Sequence, residues 1–219
     1  MPAAPPSAAI VIPARYASSR FPGKPMHKIA GIPMLERVWR IARAVKGATR
    51  IVIATEDQRI VDFARTFGAE AVMTPESCEN GTERVDAAVS AAKISEDILL
   101  NLQGDALLTP PWVLEAMIAE MEAAPEADIV TPAVKLEGEA LEIFRRHKVE
   151  NPASGTTVVF DKDRNALYFS KSIIPYMRKT GAASIYRHVG LYGYRKRGLS
   201  RYIALPPSPL ETAEGLEQL

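Results

Sequence analysis

The run Ala9-Ile10-Val11-Ile12 is apolar at every position and is closed by Pro13, so it offers no face to water. A strand of that kind is buried on both sides, as in a parallel sheet covered by helices. Residues 14–25 then carry Arg15, Ser18, Ser19, Arg20, Gly23 and Lys24 on backbone interrupted by Pro22 and Pro25. Arginine offers a planar fork to phosphate oxygens, lysine a point charge, and glycine lets the backbone approach a ligand closely. A solvated basic connection has the same composition. Its placement after a first buried strand favours a site, because open α/β sheets bind ligands beyond the carboxyl ends of their strands.

The rest of the first half repeats the alternation. Helical spacing over 34–45 brings Met34, Val38, Ile41, Ala42 and Val45 to one face, Gly47 stops the helix, and residues 50–55 form a second buried strand. A helix over 58–67 ends at Gly68, and residues 71–73 form a short strand. Thr82 opens a further helix striped by Val85, Ala88, Val89 and Ala92, and strand 97–102 runs into Gln103-Gly104-Asp105. A helix from Pro111 to about 122 and a strand over 128–134 complete the pattern. This alternation predicts an α/β fold: a mostly parallel, Rossmann-like sheet with right-handed crossovers, flanked by helices. From about residue 136 the rhythm changes to a charged helix (139–147), a hairpin around 161–165, a strand over 190–194, and helices over 199–205 and 209–219. Residues 1–135 therefore read as a nucleotide-binding core, and 136–219 as a smaller α+β lobe.

Lys plus Arg number 27 against 26 for Asp plus Glu, so basic character must be local, and neither a nucleic-acid nor a membrane partner is expected. The single cysteine, Cys78, has no partner for an intramolecular disulfide, which fits a reducing cytosol. Residues 1–8 lack a charged signal region, and the apolar run at Ala9 is far too short to span a bilayer; a soluble, cytoplasmic protein is expected. The chain holds neither G-x-x-x-x-G-K-[ST] nor G-x-G-x-x-G, which excludes the common nucleoside-triphosphatase and dinucleotide grips.

Asp105, on a glycine-containing turn at a strand end, reads either as a turn-capping carboxylate or as a ligand for Mg²⁺. Thr82 is explained by helix capping, but Arg84 in the first turn opposes the helix dipole. In the second half, Lys171, Arg187 and His188 offer partners for a carboxylate, while Tyr192, Glu217 and Gln218 offer hydrogen bonds to hydroxyls. Tyr192 and Tyr194 equally read as alternating strand residues, and His188 as a histidine satisfied by backbone.

The order of residues in IPARYASSRFPGKP, followed by GTER at 81–84 and QGD at 103–105, resembles the sugar nucleotidylyltransferases, and among them the 3-deoxy-manno-octulosonate cytidylyltransferases. The likeness continues through ALYFSKSIIP (166–175), RHVGLYGYR (187–195), PSPLE (207–211) and LEQL (216–219). It implies transfer of CMP from CTP to an eight-carbon 3-deoxy-2-keto sugar acid in lipopolysaccharide sugar activation, with Mg²⁺ as cofactor and a homodimer built through the smaller lobe. An 8-amino analogue or a sialic acid as substrate, or nucleotide and sugar binding without turnover, are the alternatives. The resemblance assigns Pro13, Ala14, Arg15, Ser19, Arg20, Lys24, Gly81, Thr82, Arg84 and Gln103 to the nucleotide. Arg15, Lys24 and Asp105 are assigned to catalysis, with Asp105 on the metal. Ser170, Lys171, Arg187, His188, Tyr192, Glu217 and Gln218 are assigned to the sugar. This chain departs from the family pattern where Ala106 and Leu107 follow Asp105, where Ala-Ser-Gly-Thr-Thr follows Asn151-Pro152, and where Lys171 stands at a frequent arginine position. The resemblance also implies a second metal carboxylate from a segment beyond Leu219.

Overall fold

The computed structural model describes residues 7–17, 21–179, 181 and 183–219. In chain order the strands and helices are β1 (Ala8–Pro13), β2 (Lys28–Ile29), β3 (Ile32–Pro33), α1 (Met34–Arg43), β4 (Ala48–Thr55), α2 (Gln58–Arg65), β5 (Glu70–Met73), α3 (Gly81–Ala91), β6 (Ile98–Asn101), α4 (Pro111–Ala123) and β7 (Ile129–Val130). They are followed by β8 (Ala133–Leu136), α5 (Gly138–Glu150), β9 (Thr157–Phe160), β10 (Ala166–Ser170), β11 (Ile185–His188), β12 (Tyr192–Arg195), α6 (Lys196–Ile203) and α7 (Pro209–Glu214). The chain divides into two compact units, Met1–Val130 with Leu191–Ala204, and Thr131–Gly190 with Leu205–Leu219.

The first unit is built on a six-stranded sheet in the order β5-β4-β1-β6-β12-β7. β1 lies between β4 and β6, parallel to both, with Ile10 opposite Ile51 on one side and Leu100 on the other. All of β1 is buried, as its lack of alternation predicts. Burying Ile10, Val11 and Ile12 contributes about 1.5–3 kcal/mol per side chain, which is why the strand sits at the centre and not at an edge. Val85 and Ala88 of α3 and Leu199 of α6 cover the face formed by Ala9, Val11, Val52, Ala54, Leu99 and Tyr194. β12 runs antiparallel to β6 and β7.

In the second unit an antiparallel sheet runs β10-β9-β11-β8. Leu136, Phe144 and Ile185 form one cluster there, and Val158, Phe169 and Leu216 another. The expected hairpin at 161–165 is present: Asp161 Oδ1 accepts from the Asp163 and Asn165 amides at 2.9 and 2.8 Å.

Several expectations are corrected. A single cut at 135/136 does not describe the units, because β12 returns to pair with β6. The strand expected over 128–134 is two strands, β7 and β8, separated by Thr131 and Pro132, and proline cannot donate to a ladder. Residues 215–219 do not continue α7, since Gly215 adopts φ 62° and ends it. Strand β11 and the β2–β3 hairpin were not foreseen; the hairpin turns at Ala30 (φ 47°) and Gly31 (φ 79°), the left-handed pair that tight hairpins need. No helix among the described residues is long and apolar enough to cross a membrane.

Candidate active site

Three stretches far apart in sequence meet at the carboxyl end of β1 and β6. The Ala14 amide continues the ladder past Pro13 by donating to Ala54 O at 2.9 Å, and the chain then leaves the sheet. Leu102 N donates to Val11 O at 3.0 Å, and Gly104 N to Pro13 O at 3.2 Å, so the 103–105 turn lies directly on the end of β1. A Cβ on Gly104 would stand 2.8 Å from that carbonyl, so no other residue fits without displacing backbone. Gly81 leaves space for the Gln103 side chain: a Cβ there would stand 2.7 Å from Nε2, so Gln103 would have to move its amide end. Gln103 Nε2 in turn donates to Oδ1 of buried Asn101 at 3.0 Å.

The loop after β1 is closed on itself. Gly23, at φ 70°, donates its amide to Tyr16 O at 2.9 Å, and a Cβ on it would press on the Tyr16 ring at 3.3 Å. The Arg59 guanidinium lies over the Tyr16 ring, 3.4 Å from its centroid. Arg15 is exposed, and its Nη2 donates to the Cys78 carbonyl. Lys24 Nζ meets Asp105 Oδ2 at 2.6 Å, with both side chains substantially exposed. An ion pair that exposed is worth at most about 1 kcal/mol, so a polyphosphate can replace the carboxylate as the partner of Lys24 at little cost. Pro13 and Ala14 are buried and offer backbone only. Ser19 and Arg20 lie outside the described residues.

Two residues of the 81–84 segment sit differently from expectation. The N-cap of α3 is Asn80, whose side chain accepts from Glu83 N at 2.9 Å, whereas Thr82 is buried and bonded to the Tyr194 hydroxyl at 3.1 Å. Arg84 is 1% exposed, with Nη1 on Thr74 Oγ1 at 2.6 Å and on Glu56 Oε2 at 3.2 Å. Burial holds its pKa below the usual guanidinium value, opposed by the Glu56 carboxylate. Its place against the helix dipole is thus explained by a buried counter-charge. Glu56, which the sequence reading passed over, follows a buried strand directly, and that position was the available signal.

Among the described residues no three His, Cys, Asp or Glu side chains come together as a metal cage. Asp105 is the carboxylate at this edge, a donor set that suits a hard ion completing its shell with substrate oxygens and water, as Mg²⁺ does, and not one needing an all-protein cage.

In the second unit the sugar-side residues divide. Ser170 is buried, donates to Glu214 Oε1 at 2.7 Å and accepts from Ser172 N at 2.9 Å, so its hydroxyl is engaged in packing. Glu214 also accepts from the Lys171 amide at 2.7 Å and the Tyr168 hydroxyl at 3.2 Å, which holds its carboxyl below the usual range and pins α7. Buried Lys148 caps the Pro152, Gly155 and Lys171 carbonyls. His188 is buried, with Nε2 2.7 Å from Thr131 Oγ1; burial, and next the Lys171 charge, push its pKa down to about 4. It is neutral at neutral pH, where its ring nitrogens offer hydrogen bonding. Lys171 lines a concave site of about 470 Å³ with Lys148, Ser172 and Glu214. Arg187 is exposed, and Glu217 and Gln218 are half-buried after α7. Tyr192 belongs to the first unit, where it is buried and stacked on Tyr194 at 5.9 Å.

Residues 9–219 match the family model described as cytidylyltransferase. The 3-deoxy-manno-octulosonate cytidylyltransferase of Maricaulis maris is 52% identical over 210 residues, covering 95% of this chain and 81% of its own. The 8-amino-3,8-dideoxy-manno-octulosonate cytidylyltransferase of Shewanella pealeana is 41% identical over 212 residues, covering 96% and 83%. A solved CMP:2-keto-3-deoxy-manno-octonic acid synthetase complexed with CTP superposes with a TM-score of 0.87 at 38% identity, covering 97% of this chain and 83% of that one.

Proposed function

The chain belongs to the cytidylyltransferase family, and from that membership we propose that it transfers CMP from CTP to a Kdo-like eight-carbon 3-deoxy-2-keto sugar acid, with release of pyrophosphate. The supporting observation is the meeting of Lys24, Asp105 and Gln103 at the carboxyl ends of β1 and β6, where Gly104 sits so close to the Pro13 carbonyl that no side chain fits. The anomeric hydroxyl of the sugar acid attacks the α-phosphorus and gives up its proton to water, the bond from that phosphorus to the α–β bridging oxygen breaks, and pyrophosphate departs with that electron pair. Arg15 and Lys24, with Arg20 on the same loop, stabilise the charge that passes to the leaving group. Lys24 exchanges its contact with Asp105 for phosphate oxygens. Asp105 would hold Mg²⁺, which supplies charge neutralisation and alignment of the reacting oxygens when bound. In the second unit, Lys171 and Arg187 provide positive charge for the sugar carboxylate, and Glu217 and Gln218 provide hydrogen-bonding groups for its hydroxyls.

The protein acts in the cytoplasm as a homodimer, in sugar activation for lipopolysaccharide. Exposed Val134 and Leu167 in the second unit give that association apolar surface. Pyrophosphate release, measured with CTP, UTP and ATP against the 3-deoxy acid, its 8-amino analogue and a sialic acid, tests the reading. CTP with the 3-deoxy acid is expected to be the best pair. Tight nucleotide binding with no release for any acid would replace it with a binding role.

A further inference from the structure

We infer that Glu56 is a positioning residue that sets the phosphate loop from the core, through the Tyr16 amide on one side and buried Arg84 on the other. Glu56 is the first residue after the buried end of β4, and its side chain is only 11% exposed. Oε1 accepts from Tyr16 N at 3.0 Å, while Oε2 faces Arg84 Nη1 at 3.2 Å. Arg84 is itself fixed by Thr74 Oγ1 at 2.6 Å, and Thr74 N donates to Thr55 O at 2.8 Å. The connection runs outward as well: Tyr16 O accepts from Gly23 N, so the backbone that Glu56 holds lies next to Arg15 and across one hydrogen bond from the residue preceding Lys24.

A carboxylate is the group this place requires. Oε1 accepts from the Tyr16 amide while Oε2, without a hydrogen bond of its own, sets a negative charge beside the buried Arg84 guanidinium, and a neutral amide could keep the first contact but not supply the charge. The Lys24–Asp105 pair is too exposed to hold the loop rigidly, whereas a hydrogen-bonded carboxylate against a buried cation is expensive to break. The loop is thus anchored at its inner end and free to change partners at its outer end, which is the division of labour that binding and releasing a triphosphate demands.

This inference rests on the reading of residues 13–24 as the triphosphate grip, and its test separates the two. In Glu56→Gln, amide hydrogen exchange at Tyr16 and Gly23 in the ligand-free protein is expected to accelerate at least tenfold, with exchange in β1 and β6 unchanged. kcat/KM for CTP is expected to fall by about 10²-fold while KM for the sugar acid stays within about twofold. Glu56→Asp keeps the counter-charge of Arg84 but shortens the reach by one methylene, so it gives the same loop-selective pattern if the glutamine variant does not fold. Unchanged exchange at Tyr16 and Gly23 in a folded variant overturns the proposal. So does acceleration spread evenly over the chain with kcat/KM for CTP within about threefold of wild type. A wild-type protein inactive with CTP would instead remove the functional reading, and the exchange data would still decide the role of Glu56.

Discussion

The two units treat their polar residues in opposite ways. At the carboxyl edge of the first unit, β1 and β6 bring motif residues from three places together and leave Lys24 and Asp105 exposed and paired with each other. In the second unit much of the polar equipment is spent on packing: Ser170 and Glu214 hold α7, Lys148 caps carbonyls, and His188 is buried and uncharged. A parallel sheet satisfies its own backbone, so its strand ends can present side chains to a ligand. A small antiparallel unit has less apolar core and holds its connections together with side-chain hydrogen bonds.

The contrast is broken most directly at Asp105. Asp105→Asn should lower turnover by about 10³-fold with folding unchanged, because an exposed carboxylate carries no core packing but loses both charge and alignment at the reacting phosphate. Pyrophosphate release and thermal unfolding measured side by side check it, and turnover within tenfold of wild type would place the chemistry elsewhere. Next in size is the acid response of the second unit. The folded pKa of His188 lies near 4, below the ordinary 6.5, so its neutral burial stabilises the fold fully above about pH 6.5 and is lost as pH falls towards 4. Roughly 3 kcal/mol should disappear over that interval. Urea unfolding of His188→Gln at pH 7 and 4.5 should show a correspondingly smaller loss; equal losses in both proteins would mean that folding leaves the titration of His188 unshifted.

Lys24→Ala should reduce kcat/KM for CTP by about 10²-fold while leaving the unfolding temperature within a degree or two, since an exposed ion pair adds little stability. A large fall in stability would make Lys24 a packing residue and erase the difference between the units. The smallest effect is expected from Ser170→Ala, which removes a hydrogen bond to a carboxylate and should cost about 1–3 kcal/mol of stability with turnover kept within a few fold. A selective rise in KM for the sugar acid would return Ser170 to the binding groups.

The nucleotide edge was legible in the sequence because each of its parts is local. An unalternating apolar run predicts a doubly covered strand, and the loop behind it follows directly in the chain. Glycines 81 and 104 were visible as residues, but that a Cβ on either would strike Gln103 or the Pro13 carbonyl depends on the sheet having brought them together. The second unit was less readable. Its strands are short, β11 lies among residues whose pattern gave no clear period, and nothing local says that β12, which carries Tyr192, joins β6.

By itself the sequence determined the parallel core, the order of its strands and helices, and the chemistry carried by the loop after β1, because those follow from burial patterns and residue types within a few neighbours. Only the tertiary structure decided that Arg84 is buried against Glu56, that His188 is neutral, that Ser170 is consumed by Glu214, and that residues 191–204 return to the first unit. Each of these depends on a partner tens of residues away, and the desolvation or hydrogen bond that fixes a side chain's role exists only once packing has brought that partner into contact.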